Sequence, residues 1–194
     1  MGSDERHGRW EARYREADGQ QPAQALQVLR DNDFLLPRQG QALDMACGRG
    51  GNALFLASHG LDVSAWDYAR PAIASLQEQA RTEGLTLNAE VRDVVAEPPE
   101  PGSFDVICVG YFLQRELAPA IAAALRPAGL LFYETFIREA VSDCGPGNPA
   151  YRLAPNELLD LFGGLRVVEY REHGLIGDLS RGRRDIASLV AYRH

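Results

Sequence analysis

The chain has 194 residues, 45% of them hydrophobic and 24% charged, the balance of a soluble globular protein with enough length for one substantial core. Its formal charge of −7 repels polyanions at long range, which argues against nucleic acid or an anionic lipid surface and favours a small-molecule substrate. No apolar run approaches the roughly 20 residues of a membrane helix, and Met1–Arg6 is charged with no apolar stretch behind it, so neither a span nor a signal peptide is read and a cytoplasmic location is expected.

Cys47, Cys108 and Cys144 lack C-x-x-C spacing, so neither a disulfide framework nor a metal site is expected. All 20 basic residues are arginine, for which codon bias in a GC-rich genome is a simpler account than anion recognition. The length predicts a single domain: a helical lid or appendage over 1–36, a cofactor-binding core over 41–136, and a substrate-side loop, last helix and edge strands over 137–194.

In chain order, Trp10 and Tyr14 stand four residues apart and predict a short helix over Arg6–Glu16, either a lid over a pocket or a helix packed on the body. Ala25, Leu26 and Leu29 continue a helical repeat that begins at Pro22 and ends near Asn32. Strand and helix then alternate. Strands are expected over Ala42–Met45, Asp62–Trp66, Leu85–Val91 and Phe104–Val109, with helices over Ala53–His59 and from Pro71 to Gly84. Leu117, Ile121, Ala124 and Leu125 mark the next helix, with Pro127 and Gly129 as its stop before a strand over Leu130–Thr135.

The turn-rich segment Ile137–Ala154 is too long for a simple connector and reads as a substrate-side loop. A helix over Pro155–Phe162 and strands over Leu165–Arg171 and Ala187–Tyr192 complete the chain. No crossover helix fits between those two strands, so they are expected to be antiparallel and to join the sheet at its edge. The fold class is α/β: a Rossmann-like, doubly wound, mostly parallel seven-stranded sheet with helices on both faces and an antiparallel final strand.

The chemistry concentrates at Leu43-Asp44-Met45-Ala46-Cys47-Gly48-Arg49-Gly50-Gly51-Asn52, a strand, a glycine turn and a helix start. In such sheets ligands sit beyond the carboxyl ends of the strands, where Asp44, Asp67 and Asp93 fall. Asp67 stands close to the ~20-residue spacing that separates a glycine turn from the acid binding a ribose diol. Asp93 is placed to accept from an adenine amino group. The loose pattern Gly48-x-Gly50-x-x-Ala53 also fits a dinucleotide, but an acid at Asp44 is electrostatically wrong for a pyrophosphate and right for a cation. S-adenosylmethionine carries a sulfonium and an ammonium and no phosphate.

These stretches, with Val63-Ser64-Ala65-Trp66-Asp67, Arg92-Asp93-Val94, Phe104-Asp105-Val106-Ile107 and Leu125-Arg126-Pro127-Ala128-Gly129, resemble in order and spacing the motifs of class I S-adenosylmethionine-dependent methyltransferases. Gly50-Gly51-Asn52-Ala53, Tyr111-Phe112-Leu113-Gln114-Arg115, Tyr133-Glu134-Thr135-Phe136 and Gly145-Pro146-Gly147-Asn148-Pro149 look like the tellurite-resistance type of small methyltransferase. The sequence departs from the superfamily at Ala69, where a small hydroxyl residue often caps the helix, and at Ala128, where glycine is usual. The resemblance implies that Asp44, Ala46 and Gly48 line the methionine end, Asp67 and Tyr68 the ribose, and Asp93 and Val94 the adenine. Cys47, Asn52 and Val109 complete the expected cofactor contacts, and Cys47 reads as a packed residue rather than a nucleophile.

Methyl transfer needs alignment and electrostatics more than a side-chain nucleophile, and a base only when the acceptor arrives protonated. Tyr111 and Arg115, just past the fourth strand, are the expected catalytic pair. Arg115 either binds an anionic acceptor or pairs with an acid such as Glu116 or Glu134. His173 reads as a surface histidine or a base, and Arg181, Arg183 and Arg184 as a solvated turn or an anion guide. Rival functions are an NAD-dependent oxidoreductase, disfavoured by Asp44 and by the lack of a Tyr-x-x-x-Lys pair, and a non-catalytic cofactor-binding module. Oligomeric state is not legible.

Overall fold

The computed structural model describes residues 24–194. The aromatic helix expected over Arg6–Glu16, and Pro22, lie outside the described residues. The first described helix, α1 (Gln27–Asp31), begins later than the periodicity suggested, because Leu26 is extended at the cap position.

The sheet has seven strands: β1 (Gln41–Met45), β2 (Asp62–Asp67), β3 (Asn88–Val91), β4 (Phe104–Gly110), β5 (Leu125–Phe136), β6 (Arg166–Glu172) and β7 (Ile186–Tyr192). Their spatial order is β3-β2-β1-β4-β5-β7-β6. The ladders from β3 to β5 are all parallel, while β7 is antiparallel to both β5 and β6. The expected antiparallel pair therefore enters with β7 inside and β6 as the edge. Strand order reverses between β1 and β4, which opens a crevice beyond their carboxyl ends.

Between the strands run α2 (Gly51–Ser58), α3 (Arg70–Glu83), α4 (Ala118–Ala124) and α5 (Glu157–Leu161). In α3 the buried side chains Ala72, Ile73, Leu76 and Ala80 form one stripe, and Gly84 ends the helix in the left-handed conformation. The two-residue period of the strands divides the core. Leu43, Met45, Ile107 and Val109 face the layer of α4 and α5, whereas Ala42, Val106 and Cys108 face α1, α2 and α3. β4 is apolar on both faces, as its continuous run predicted.

Two boundaries differ from expectation. β3 begins at Asn88 rather than Leu85, because the Leu85 amide still bonds back to the Ala80 carbonyl at the helix end. Pro127 and Gly129 do not separate helix from strand. β5 already starts at Leu125, which pairs with Phe104, and the ladder shifts before Val106 meets Leu130. The extra residues form a bulge in which Ala128 has φ 62 and its amide bonds to the Arg193 carbonyl at 2.7 Å. Pro127 is tolerated there because a bulge does not need its missing N–H.

Residues 137–154 are closed by a parallel bridge between Ile137 and Leu153. Arg152 donates to the carbonyls of Ile137, Cys144 and Pro146, and Asp185 accepts from the amides of Val141 and Ser142. The loop is thus ordered by side-chain bonds to its own backbone.

Candidate functional site

Asp44 lies on the β1 face that meets α2 and is wholly buried. Its two oxygens accept from the Asn52 side-chain amide and the Ala53 backbone N–H, each at 3.0 Å, so it closes the first turn of α2. Burial pushes its pKa up to about 7; the two hydrogen bonds pull the other way and the charge of Asp67 adds to the rise. Asn52 passes the connection on, because its oxygen accepts from the Leu26 amide at 2.8 Å.

Three residues of the intervening turn are left-handed: Ala46 at φ 55, Gly48 at φ 52 and Gly50 at φ 76. At Gly50 a Cβ would stand 2.3 Å from Leu76 Cδ1, so close packing of α3 on the turn demands glycine there. The Gly48 amide donates to Asp67 at 2.9 Å, and the Ala69 amide to the other Asp67 oxygen at 2.8 Å. Asp67 is buried, and burial raises its pKa. No side chain caps α3 at Ala69; its carbonyl accepts from the Ala72 and Ile73 amides, and its own N–H goes to Asp67. Among the described residues neither Asp44 nor Asp67 forms an ion pair.

Cys47 sits half-buried between the two acids. Burial and then their charges push its thiol well above the usual range, which holds it protonated. Tyr68 follows Asp67, half-buried. Asp93, partly exposed after β3, accepts from the amides of Val95 and Ala96 and shapes that turn. The side chains of Val94 and Val109 belong to the core beneath the crevice.

Across the crevice Tyr111 leaves β4 with φ 55, and its ring lies 5.1 Å from that of Phe136. Its hydroxyl donates to Glu134 at 2.9 Å. Burial and the adjacent Glu134 charge push the phenol up to about 12, so it remains a hydrogen-bond donor at neutral pH. The structure gives Arg115 a different partner from either expected acid. Its guanidinium forks onto Glu157, with the second contact at 3.0 Å, and donates to the carbonyls of Ala150 and Arg152. Arg115 thereby ties α5 and the long loop to the end of β4.

Among the described residues, the basic side chain that meets Tyr111 is that of Arg183, which reaches from the β6–β7 connection onto Glu134. Arg184, by contrast, is spread over carbonyls of its own loop, including those of Ile176, Asp178 and Arg181. His173 packs against Gly182, with its Nδ1 lacking a hydrogen-bond partner. Sequence reasoning underrated Glu134 and Arg183. The available signal was Glu134 itself, an acid directly after the apolar run Leu130–Tyr133, which a buried strand tolerates only with a partner.

A family model described as tellurite resistance protein TehB matches residues 26–186. A Haemophilus influenzae protein named probable S-adenosyl-L-methionine-dependent methyltransferase TehB is 30% identical over 146 residues, covering 73% of this chain and 50% of that protein. An Eikenella corrodens protein named hemagglutinin 1 is 38% identical over 139 residues, covering 68% of this chain and 46% of that protein. The chain spans about half the length of these curated relatives. The crystal structure of TehB from Haemophilus influenzae aligns with a TM-score of 0.71 at 23% identity, over 95% of this chain and 67% of that one, and so shares the fold.

Proposed function

Because the chain belongs to the TehB family, we propose that it transfers a methyl group from S-adenosylmethionine to a small acceptor, anionic or thiol-like, by in-line displacement. The observation that carries this reading is the pair of buried carboxylates, Asp44 and Asp67, flanking the glycine turn at the point where strand order reverses. Such a site attracts a cationic ligand and repels a pyrophosphate.

The residues fit the cofactor. Each oxygen of a carboxylate has a second acceptor position. Asp67 can therefore hold the backbone amides of Gly48 and Ala69 and still accept from a ribose diol. Asp44, enclosed by Asn52 and Ala53, contributes negative charge at the methionine end when it is ionised, beside the turn formed by Ala46, Cys47 and Gly48. Tyr68 flanks the ribose side, and Asp93 with the backbone of Val94 borders the adenine side. When bound, S-adenosylmethionine supplies an activated methyl on sulfur, and S-adenosylhomocysteine remains after transfer.

The chain's own part is positioning. Tyr111, kept protonated, presents a hydrogen-bond donor and an aromatic face beside the crevice. An acceptor that arrives as an oxyanion or thiolate needs no base, which suits a site in which the Tyr111 phenol and the Cys47 thiol both stay protonated at neutral pH. The family description points to tellurite-type oxyanions as the first acceptors to test.

Calorimetry with S-adenosylmethionine, followed by S-adenosylhomocysteine release with tellurite, selenite and small thiols, tests the reading. Absence of binding at millimolar cofactor overturns it. Binding of NADH in its place would move the chain to the oxidoreductases, and cofactor binding without turnover would leave it a binding module.

A further inference from the structure

Glu134 is fully buried, yet its carboxylate accepts four hydrogen bonds from three separate segments. Tyr111, at the end of β4, donates its hydroxyl to Oε1. Arg183, 49 residues away, forks onto both oxygens and also stands 3.5 Å from the Tyr111 hydroxyl. The Val28 amide of α1 donates to Oε2 at 3.3 Å. The Tyr111 amide bonds to the Glu134 carbonyl at 2.8 Å, which helps fix Tyr111 in its left-handed conformation.

The ladder places this cluster. Asp44 pairs with Cys108 and Met45 with Val109, while Gly110 pairs with Glu134. Glu134 therefore lies two strands across from the glycine turn, roughly 10 Å at the usual strand spacing. Arg183 points three N–H groups at Glu134 and Tyr111 out of the five a guanidinium has, and its side chain remains 31% exposed.

A buried ion pair adds little net stability over an apolar pair of similar volume. A carboxylate that holds a phenol and a guanidinium side by side at the crevice has a more specific use. We infer that Glu134 is a positioning residue, which presents Tyr111 and Arg183 together as the acceptor-binding end of the site. This rests on the methyltransferase reading above. The remaining Arg183 donors engage an oxyanion or thiolate, while Glu134 keeps the guanidinium from swinging into solvent.

The test compares Glu134→Gln, Arg183→Met and the double variant, which replaces the ion pair by neutral groups of similar size and guards against loss of folding. S-adenosylmethionine affinity is measured by calorimetry, and kcat and KM with whichever of tellurite, selenite or 2-mercaptoethanol the wild type turns over. We expect cofactor affinity within about twofold of wild type, an acceptor KM raised about tenfold or more, and a double variant no worse than the worse single one.

Variants that melt at lower temperature but keep wild-type KM and kcat overturn the positioning role and leave a structural ion pair. So does a wild type that binds cofactor but turns over none of the three acceptors. Loss of cofactor binding by the wild type itself would instead strike the methyltransferase reading.

Discussion

Replacing Asp44 by asparagine should remove a fall in stability with rising pH and weaken cofactor binding, while its amide turns an N–H toward one of the two donors that the carboxylate satisfies. Burial raises the Asp44 pKa from an ordinary 3.8 to about 7, so holding it ionised in the empty site is costly. At 1.36 kcal/mol per pH unit, that difference corresponds to about 4 kcal/mol. The sign follows from the raised value. The folded protein favours protonated Asp44, so its contribution is fully present below pH 3.8 and is lost as pH rises through about 7. Wild-type stability should therefore fall between pH 4 and pH 8 by an amount that Asp44→Asn does not lose.

The opposite effect is expected on the cofactor. A unit charge about 6 Å from a cation at an effective dielectric of about 20 contributes about 2–3 kcal/mol, roughly a hundredfold in affinity. Since only ionised Asp44 offers that charge, wild-type affinity should weaken about tenfold between pH 8 and pH 6. The variant should lack that step, and the difference between the two profiles removes the cofactor's own titration. Urea unfolding across the pH range and calorimetry at both pH values measure the two effects. A variant whose stability falls with pH as steeply as the wild type's, or that binds cofactor as tightly, refutes the reasoning.

Asp67→Ala frees the amides of Gly48 and Ala69 and should cost about 2–4 kcal/mol in thermal unfolding together with at least a tenfold loss of S-adenosylmethionine affinity by calorimetry. Ala128→Gly removes a side chain from a left-handed position at φ 62; a gain of up to about 1 kcal/mol in urea unfolding is expected. Arg115→Met breaks the fork onto Glu157 and releases the carbonyls of Ala150 and Arg152. For this partly exposed pair a loss of about 1–2 kcal/mol and faster tryptic cleavage after Arg138 and Arg152 are expected, with cofactor affinity unchanged. Unchanged melting with collapsed turnover would return Arg115 to the acceptor site.

What was legible in the sequence was local. The alternation of strand and helix, the glycine turn after Asp44 and the helix stop at Gly84 follow from short-range periodicity and backbone permissiveness, and the structure reproduces them within a few residues. The placement of acids at strand ends followed as well, because a strand that ends on a turn carries its last side chains to the sheet's edge. The bulge at Arg126–Gly129 was not legible, since Pro and Gly signal a break without saying whether a ladder resumes beyond it.

The partners of the long side chains were decided only by tertiary structure. Arg115 meets Glu157 across 42 residues and Arg183 meets Glu134 across 49, while nearer acids such as Glu116 leave Arg115 to Glu157. Coulomb attraction has no sequence range. Which opposite charge a guanidinium finds depends on the order in which strands assemble, here the insertion of β7 between β5 and β6, which brings the Arg183 loop over the end of β5. Asp44 and Asp67 are organised by amides within 20 residues of themselves and so left a readable pattern. The Glu134–Arg183 and Arg115–Glu157 pairs are ones that only the folded sheet brings together.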